Sequence, residues 1–259
     1  MRSSLHRPRD KKPHVARRRF GQHFLHDPRV LARIVDAIAP QPGDVLVEIG
    51  PGEGALTAPL LARAGRLEAI ELDRDLAAEL VARFPPHHLT VHCADALEYD
   101  YGRFPAGVRL VGNLPYNIST PLLFHLARYA ERVRDMHFML QLEVVERMVA
   151  APGGADYGRL SVALQARFAM QKLFTVSKGA FRPPPKVESA VVRLTPLPAM
   201  LAIDDDVLRQ AFSARRKQLR NALPLAPGDY ERLAIDPRRR PEELSPADYA
   251  RISALKRPG

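Results

Sequence analysis

The chain has 259 residues, enough for one large domain with a small appendage, and its 46% hydrophobic residues exclude a disordered chain. Charges interrupt every apolar run short of membrane-spanning length, so no membrane partner is expected. The single cysteine, Cys93, excludes an internal disulfide and a cysteine-rich zinc site, and suits a reducing, cytoplasmic setting. The net charge is +10, and residues 1–19 hold eight of the bases (Arg2, Arg7, Arg9, Lys11, Lys12, Arg17, Arg18, Arg19) against one acid, Asp10. Residues 1–16 therefore read as a disordered basic arm drawn to a polyanion, with a solubilising tail as the plain alternative.

"HDPRVLARIVDAIAPQPG" predicts a helix capped by Asp27, with Pro28 in its first turn and Pro40 after its end. "DVLVEIG" (44–50) is a continuous apolar run, as a buried parallel strand requires. A helix in "ALTAPLLARAG" ends at Gly65, and "RLEAIEL" is the second strand. Asp73 caps the helix "DRDLAAELVARF", and "HLTVHC" is a third, buried strand. "GVRLVG" is the fourth strand, and "STPLLFHLARYA" a helix capped by Ser119. "DMHFML" is the fifth strand, "EVVERMVA" a helix, "GRLSVALQARFAM" another helix, and "KLFTVS" and "SAVVRLTP" two late strands. Strands alternating with helices mean an α/β domain with a mostly parallel seven-stranded sheet, and the last two strands form an antiparallel edge pair. Pro196 and Pro198 mark a linker to an all-helical C-terminal segment.

After the first strand, "EIGPGEG" places Gly50, Gly52 and Gly54 where a backbone must approach a ligand closely. An ordinary tight turn would use the same glycines. Glu71, at the end of the second strand, stands where a carboxylate accepts ribose hydroxyls, and Asp95 follows the third strand near an adenine amine. Glu48 and Glu53 flank the glycines, and carboxylates beside a pyrophosphate repel it by several kcal/mol, roughly. A cationic ligand removes that objection, which favours S-adenosylmethionine over a dinucleotide.

"GNLPYN" (112–117) then follows the fourth strand, at the carboxyl end of the sheet where α/β ligands bind. An aromatic amine such as adenine N6 is a poor nucleophile, because its lone pair is delocalised into the ring. Accepting both of its N–H bonds draws the nitrogen toward tetrahedral geometry and frees that pair. Asn113 offers a side-chain oxygen, Leu114 a backbone carbonyl held by Pro115, and Tyr116 a face for the base. No general base is strictly needed before transfer, since the amine's proton can leave afterwards.

Together "RRRFGQHFL", "VEIGPGEGALT", "AIELDRDL", "CADAL", "GNLPYNIST", "MLQLEVVERMVA", "YGRLSVALQ", "FRPPPKVESAVVRL" and "FSARRKQLRNAL" resemble the KsgA/RsmA-type small-subunit (16S) ribosomal RNA adenine N6,N6-dimethyltransferases. The resemblance covers about residues 17–223. It implies a Rossmann-like S-adenosylmethionine-dependent methyltransferase fold at 17–198 and a small helical RNA- or ribosome-contacting domain at 199–259. It also implies dimethylation of two adjacent adenosines in a terminal hairpin loop of 16S rRNA, within a partly assembled small subunit, by a cytoplasmic monomer without a metal. The implied cofactor contacts are His23, Leu25, Gly50, Gly52, Glu71, Asp95, Ala96 and Asn113; His23 stands where the family commonly has asparagine. The implied catalytic set is Asn113, Leu114, Pro115 and Tyr116, with Phe181 of "FRPPP" sandwiching the base opposite Tyr116. Read from the residues alone, Phe181 is a buried ring before a proline turn. The implied RNA contacts are Arg17, Arg18 and Arg19, with Arg215, Arg216, Lys217 and Arg220 on about two turns of helix in "ARRKQLRN". Bracing the two domains is the other use for that run.

The rival within the same chemistry is the erythromycin-resistance type, which acts on large-subunit RNA. "NLPY", "FRPPPKVESAVVRL" and "RRKQLRN" stand against it. A transcription factor of the same ancestry is disfavoured by the lack of long insertions. An assembly factor that checks immature subunits is not exclusive of this reading, since the resemblance implies both roles, and the intact Glu71, Asp95 and "NLPY" favour retained catalysis. His87, His88, His92 and Cys93 match no zinc spacing, and His125 and His137 read as satisfied or exposed histidines.

Overall fold

The computed structural model describes residues 23–256. The basic arm and Arg17, Arg18 and Arg19 lie outside the described residues. The chain begins with a two-residue strand, β1 (Phe24–Leu25), and then α1 (Pro28–Ile38), whose start is fixed by Asp27 accepting the amides of Arg29 and Val30. Ile34, Val35 and Ile38 make its buried stripe, and Ala39 turns the chain out at φ 47°. Strand β2 (Leu46–Ile49) is buried at every position, as a central parallel strand must be. Then follow α2 (Thr57–Ala64), β3 (Leu67–Glu71), α3 (Arg74–Arg83), β4 (Leu89–Cys93), β5 (Val108–Asn113) and α4 (Ser119–Ala127). The second half holds β6 (Val133–Gln141), α5 (Leu142–Val149), α6 (Arg159–Gln165), β7 (Phe168–Val176), β8 (Phe181–Arg182) and β9 (Ser189–Pro196).

Seven strands form one sheet in the order β4-β3-β2-β5-β6-β9-β7, parallel as far as β6, with β9 antiparallel to both β6 and β7. The chain leaves β2 toward β3 and β4, then crosses to β5 on the other side. The carboxyl ends of β2 and β5 therefore border the switch point where such sheets bind ligands. Two apolar clusters cover the two faces of the sheet, one around Val47, Leu110 and Phe138, the other around Leu46, Leu60 and Val111. Gly112 is required here: a Cβ on it would overlap the Ile49 carbonyl oxygen on the neighbouring strand.

Buried within β5, Arg109 donates to Asp44 (2.6 Å), to Asp135 on β6 (2.9 Å) and to the Ile38 carbonyl (2.5 Å). Burial pushes both carboxyls up, but their hydrogen bonds and the neighbouring positive charges overcome this and hold them below the usual aspartate range. This cluster locks α1, β5 and β6 together.

The C-terminal helices are α7 (Asp205–Ser213), α8 (Leu219–Ala222), α9 (Pro227–Leu233) and α10 (Pro246–Lys256). Their core, built on Val207, Leu208, Leu219, Leu244, Tyr249 and Ile252, also takes in Tyr157 and Val162 from around α6. The helical segment thus shares its core with the end of the α/β part.

Several expectations are corrected. The helix over 158–170 stops at Gln165, because Phe168 to Met170 pair with β9 as the start of β7. "HLTVHC" is an edge strand and only half-buried beyond Leu89, since nothing pairs on its outer side. Ser119 does not cap α4; its hydroxyl donates to the Pro115 carbonyl at 2.9 Å. Arg215, Arg216 and Lys217 sit in a turn after α7, and only Arg220 lies in the short α8. His137 is buried, and neither ring nitrogen makes a hydrogen bond; its Nδ1 faces the Asp135 carboxylate at 3.6 Å.

Candidate active site

A cleft opens beyond the carboxyl ends of β2, β3, β4 and β5. Its floor is the glycine loop. Gly50, Gly52 and Gly54 have φ of 68°, 57° and 76°, the left-handed region that favours glycine. The helix after the loop begins only at Thr57, so the glycines form a run of turns rather than the helix terminus itself. The Thr57 hydroxyl donates to the Glu48 carboxylate at 2.6 Å, tying the first residue of α2 to β2.

Glu71 fixes the loop from the other side. Its Oε2 accepts the Gly52 amide at 3.0 Å and its Oε1 accepts the Asp73 amide at 2.9 Å. Burial raises its pKa, and those amides oppose the rise. Asp95, in the turn after β4, accepts the Leu97 amide at 2.8 Å, with Ala96 buried beside it.

The opposite wall is "NLPY". The Leu114 amide donates to the Met139 carbonyl at 3.1 Å, and Pro115 packs against Gly50. Asn113 donates through Nδ2 to the His23 carbonyl at 3.0 Å. That bond orients the amide and leaves its oxygen as the end available for an amine. The Tyr116 hydroxyl meets the Ser189 hydroxyl at 2.6 Å, and the His23 ring lies 5.4 Å from the Tyr116 ring.

The N-terminal segment closes the cleft. β1 pairs antiparallel with β8, Phe24 against Arg182 and Leu25 against Phe181, and the His23 ring bonds the Pro183 carbonyl at 2.8 Å. His23, Leu25, Gly50, Gly52, Glu71, Asp95, Ala96, Asn113, Leu114, Pro115 and Tyr116 all line the one cleft. Phe181 does not. It is 3% exposed and packs into the core with Leu25 and Val191, because its pairing in β8 turns the ring inward. Phe24 is the aromatic that reaches the glycine loop: a Cβ on Gly52 would stand 3.0 Å from its ring. Alternation gave no signal for it, since His23 and Leu25 on either side of it line the same cleft. Thr57 and Ser189, the braces of Glu48 and Tyr116, carried no signal in the sequence.

The basic run divides. Arg215 pairs with Glu242 and donates to the Ala155 carbonyl at 2.5 Å, which is bracing. Arg216, Lys217 and Arg220 are exposed. His92 pairs with Glu68 at 2.7 Å on β4, and no metal-binding group of three or more ligands occurs among the described residues.

The cleft's charge is one-sided. Glu48, Glu53, Glu71, Asp73 and Asp95 line it, and among its described lining residues there is no lysine or arginine. Such a wall repels polyphosphates and suits a cation. A nucleoside whose ribose meets Glu71 and whose other end is cationic fits these donors and acceptors, and S-adenosylmethionine has that form.

A family model described as ribosomal RNA adenine dimethylase matches residues 13–257. The ribosomal RNA small subunit methyltransferase A of Aromatoleum aromaticum is 56% identical over 248 residues, covering 93% of this chain and 94% of that one. Its counterpart in Thiobacillus denitrificans is 56% identical over 249 residues, covering 93% and 98%. Among solved structures, a dimethyladenosine transferase from Plasmodium falciparum superposes with a TM-score of 0.76 at 27% identity, covering 89% of this chain and 96% of that one. The 23S rRNA methyltransferase ErmE superposes with a TM-score of 0.68 at 25% identity, covering 89% and 98%. The fold, the acid-lined cleft and these matches agree, and the chain belongs to the ribosomal RNA adenine dimethylase family.

Proposed function

We propose that this enzyme, an rRNA adenine dimethyltransferase of the small-subunit type, uses S-adenosylmethionine to dimethylate N6 of two adjacent adenosines in a terminal hairpin loop of 16S rRNA. The substrate is a partly assembled small subunit, and the acting species is a cytoplasmic monomer; no described helix is long and apolar enough to cross a membrane. Relatives at about 55% identity carry the small-subunit name, whereas the large-subunit enzyme ErmE matches at 25%. The small-subunit reading is accordingly preferred to the erythromycin-resistance type.

The observation that carries the mechanism is the Asn113 amide, anchored through Nδ2 on His23 at the mouth of an acid-lined cleft. S-adenosylmethionine supplies an electrophilic methyl on a sulfonium. Glu71 accepts the ribose hydroxyls, Asp95 the adenine amine, and Gly50, Gly52, His23 and Leu25 enclose the methionine end. The target adenosine leaves its stack, which a single-stranded loop makes easier, and rests on Tyr116, whose ring Ser189 holds. Asn113 Oδ1 and the Leu114 carbonyl accept the two N6 protons, which localises the lone pair toward the methyl. Pro115 keeps the second acceptor rigid. After transfer the extra proton leaves to solvent, so no side chain serves as base.

Residues 17–198 carry this chemistry in our reading, and 199–259 supply RNA and ribosome contacts through Arg216, Lys217 and Arg220. The basic arm with Arg17, Arg18 and Arg19 adds attraction to the polyanion. The test is primer extension on 16S rRNA from a strain lacking the gene, complemented with wild type or Asn113→Ala. Dimethyladenosine stops reverse transcriptase; a stop restored equally by both would overturn the assignment of Asn113.

A further inference from the structure

We propose that Glu48 makes cofactor binding an exchange of a proton for a cation: the free cleft holds a proton on this carboxyl, and the positively charged cofactor displaces it to solvent. This rests on the S-adenosylmethionine reading of the same cleft. Glu48 sits on the central strand β2, 1% exposed, yet on the cleft wall. Its only hydrogen bond from a described residue is that of the Thr57 hydroxyl. Among the described residues, every charged side chain that lines the cleft with it is acidic: Glu71 from β3, Asp73 before α3, Asp95 after β4 and Glu53 in its own loop, with His23 the one imidazole among them. Arg83 is engaged on the Glu53 carbonyl, and Arg109, beside Leu46 at the other end of β2, on Asp44 and Asp135.

A second buried negative charge beside Glu71, with no counter-ion among the described residues of the cleft, is costly, and a carboxyl in that position retains its proton instead. Burial pushes Glu48 up to about 7, the Thr57 hydroxyl opposes the rise, and the charge of Glu71 adds to it. A ligand bearing positive charge favours the carboxylate and reverses this balance. The affinity for the cationic cofactor then falls about tenfold per unit as pH drops well below 7, and this group contributes no pH dependence well above it. Transfer of the methyl group to the adenine nitrogen breaks the carbon–sulfur bond, whose electron pair stays on sulfur and leaves a neutral thioether. The product thus carries one positive charge fewer, and Glu48 recovers a proton from solvent. Glu48 therefore discriminates the cofactor from its spent form.

The test is isothermal titration of the full-length protein with S-adenosylmethionine at pH 6.5, in buffers of different ionisation enthalpy, which reads the protons exchanged. At that pH the cofactor's own amine is already protonated, an α-amino group titrating at roughly 8. The expected result is release of a substantial fraction of a proton per site, with much less release on titrating S-adenosylhomocysteine. Glu48→Gln, which cannot ionise, should lose that release and flatten the pH dependence of affinity. No release by the wild type despite measurable binding overturns the exchange. Equal release by wild type and Glu48→Gln assigns it to another group and overturns the role of Glu48. Should that variant not fold, the contrast between cofactor and product on the wild type alone decides, equal release for both overturning the proposal. Absence of any binding by the wild type refutes instead the cofactor reading itself.

Discussion

Replacing Glu71 by alanine should damage both the cofactor site and the fold around it, by separable amounts. An ionised carboxylate offers about four acceptor positions, and the Gly52 and Asp73 amides occupy one on each oxygen. The remaining positions are those available to two ribose hydroxyls. Losing hydrogen bonds to a charged acceptor costs roughly 1.5–3 kcal/mol, which corresponds to cofactor binding about 10- to 150-fold weaker. The two amides would also lose their acceptor, at roughly 1–3 kcal/mol each before water entering the cleft recovers part of it. Glu71→Gln keeps one acceptor oxygen and should fall between. Calorimetric titration with S-adenosylmethionine measures the first effect and urea unfolding the second. Unchanged affinity in Glu71→Ala would refute the ribose assignment, and if stability fell at the same time, Glu71 would be only a brace of the glycine loop.

Asn113→Ala should slow single-turnover methylation of a hypomethylated small subunit by ~10²–10³, with little change in subunit binding measured by filter retention. Tyr116→Ala should weaken base docking by roughly 1–3 kcal/mol, read as a raised KM, while Tyr116→Phe keeps the ring but orphans the Ser189 hydroxyl and should lower the Tm. Arg109→Met should cost up to about 3–5 kcal/mol at neutral pH, by leaving Asp135 buried without its guanidinium and Asp44 with Arg134 as its remaining cation. Because both acids have depressed pKa values in the fold, the stability they contribute is present above the unfolded aspartate value and is lost as pH falls through their folded values. Urea midpoints for wild type and Arg109→Met should therefore converge as pH falls below the ordinary aspartate range, about 4. Deleting residues 1–16 should weaken subunit binding mainly at low salt and spare turnover at saturating subunit, as paired binding and rate assays would show.

The order of strands and helices was readable because buried parallel strands are unbroken apolar runs and the helices between them carry caps at Asp27 and Asp73. Where a run suits both periods, sequence was not enough: Phe168 and Met170 extend the pattern of α6, and pairing with β9 overrode it. Edge or centre is likewise a property of partners, and "HLTVHC" has a partner on one side only. The placement of Glu71 and Asn113 in the cleft was legible because both stand at the ends of predicted strands. Phe181 was not, since only the ribbon with Leu25 determines which way its ring points. The bracing of Arg215 on Glu242 and Ala155 depends on loops distant in sequence, and a basic run looks the same whether it meets RNA or protein.

The strap over the cleft has a consequence for biosynthesis. His23 is fastened to Pro183, a partner 160 residues further along, and Asn113 is in turn fastened to His23. Translation proceeds at roughly 5–20 residues per second. The first segment of the cleft thus waits about 8–32 s for the residue that secures it. A nascent chain paused after β6 would hold the glycine loop, Glu71 and "NLPY" without a closed cleft. A newly made copy of this ribosome-modifying enzyme therefore gains its complete cofactor site only after most of it has left the ribosome that made it.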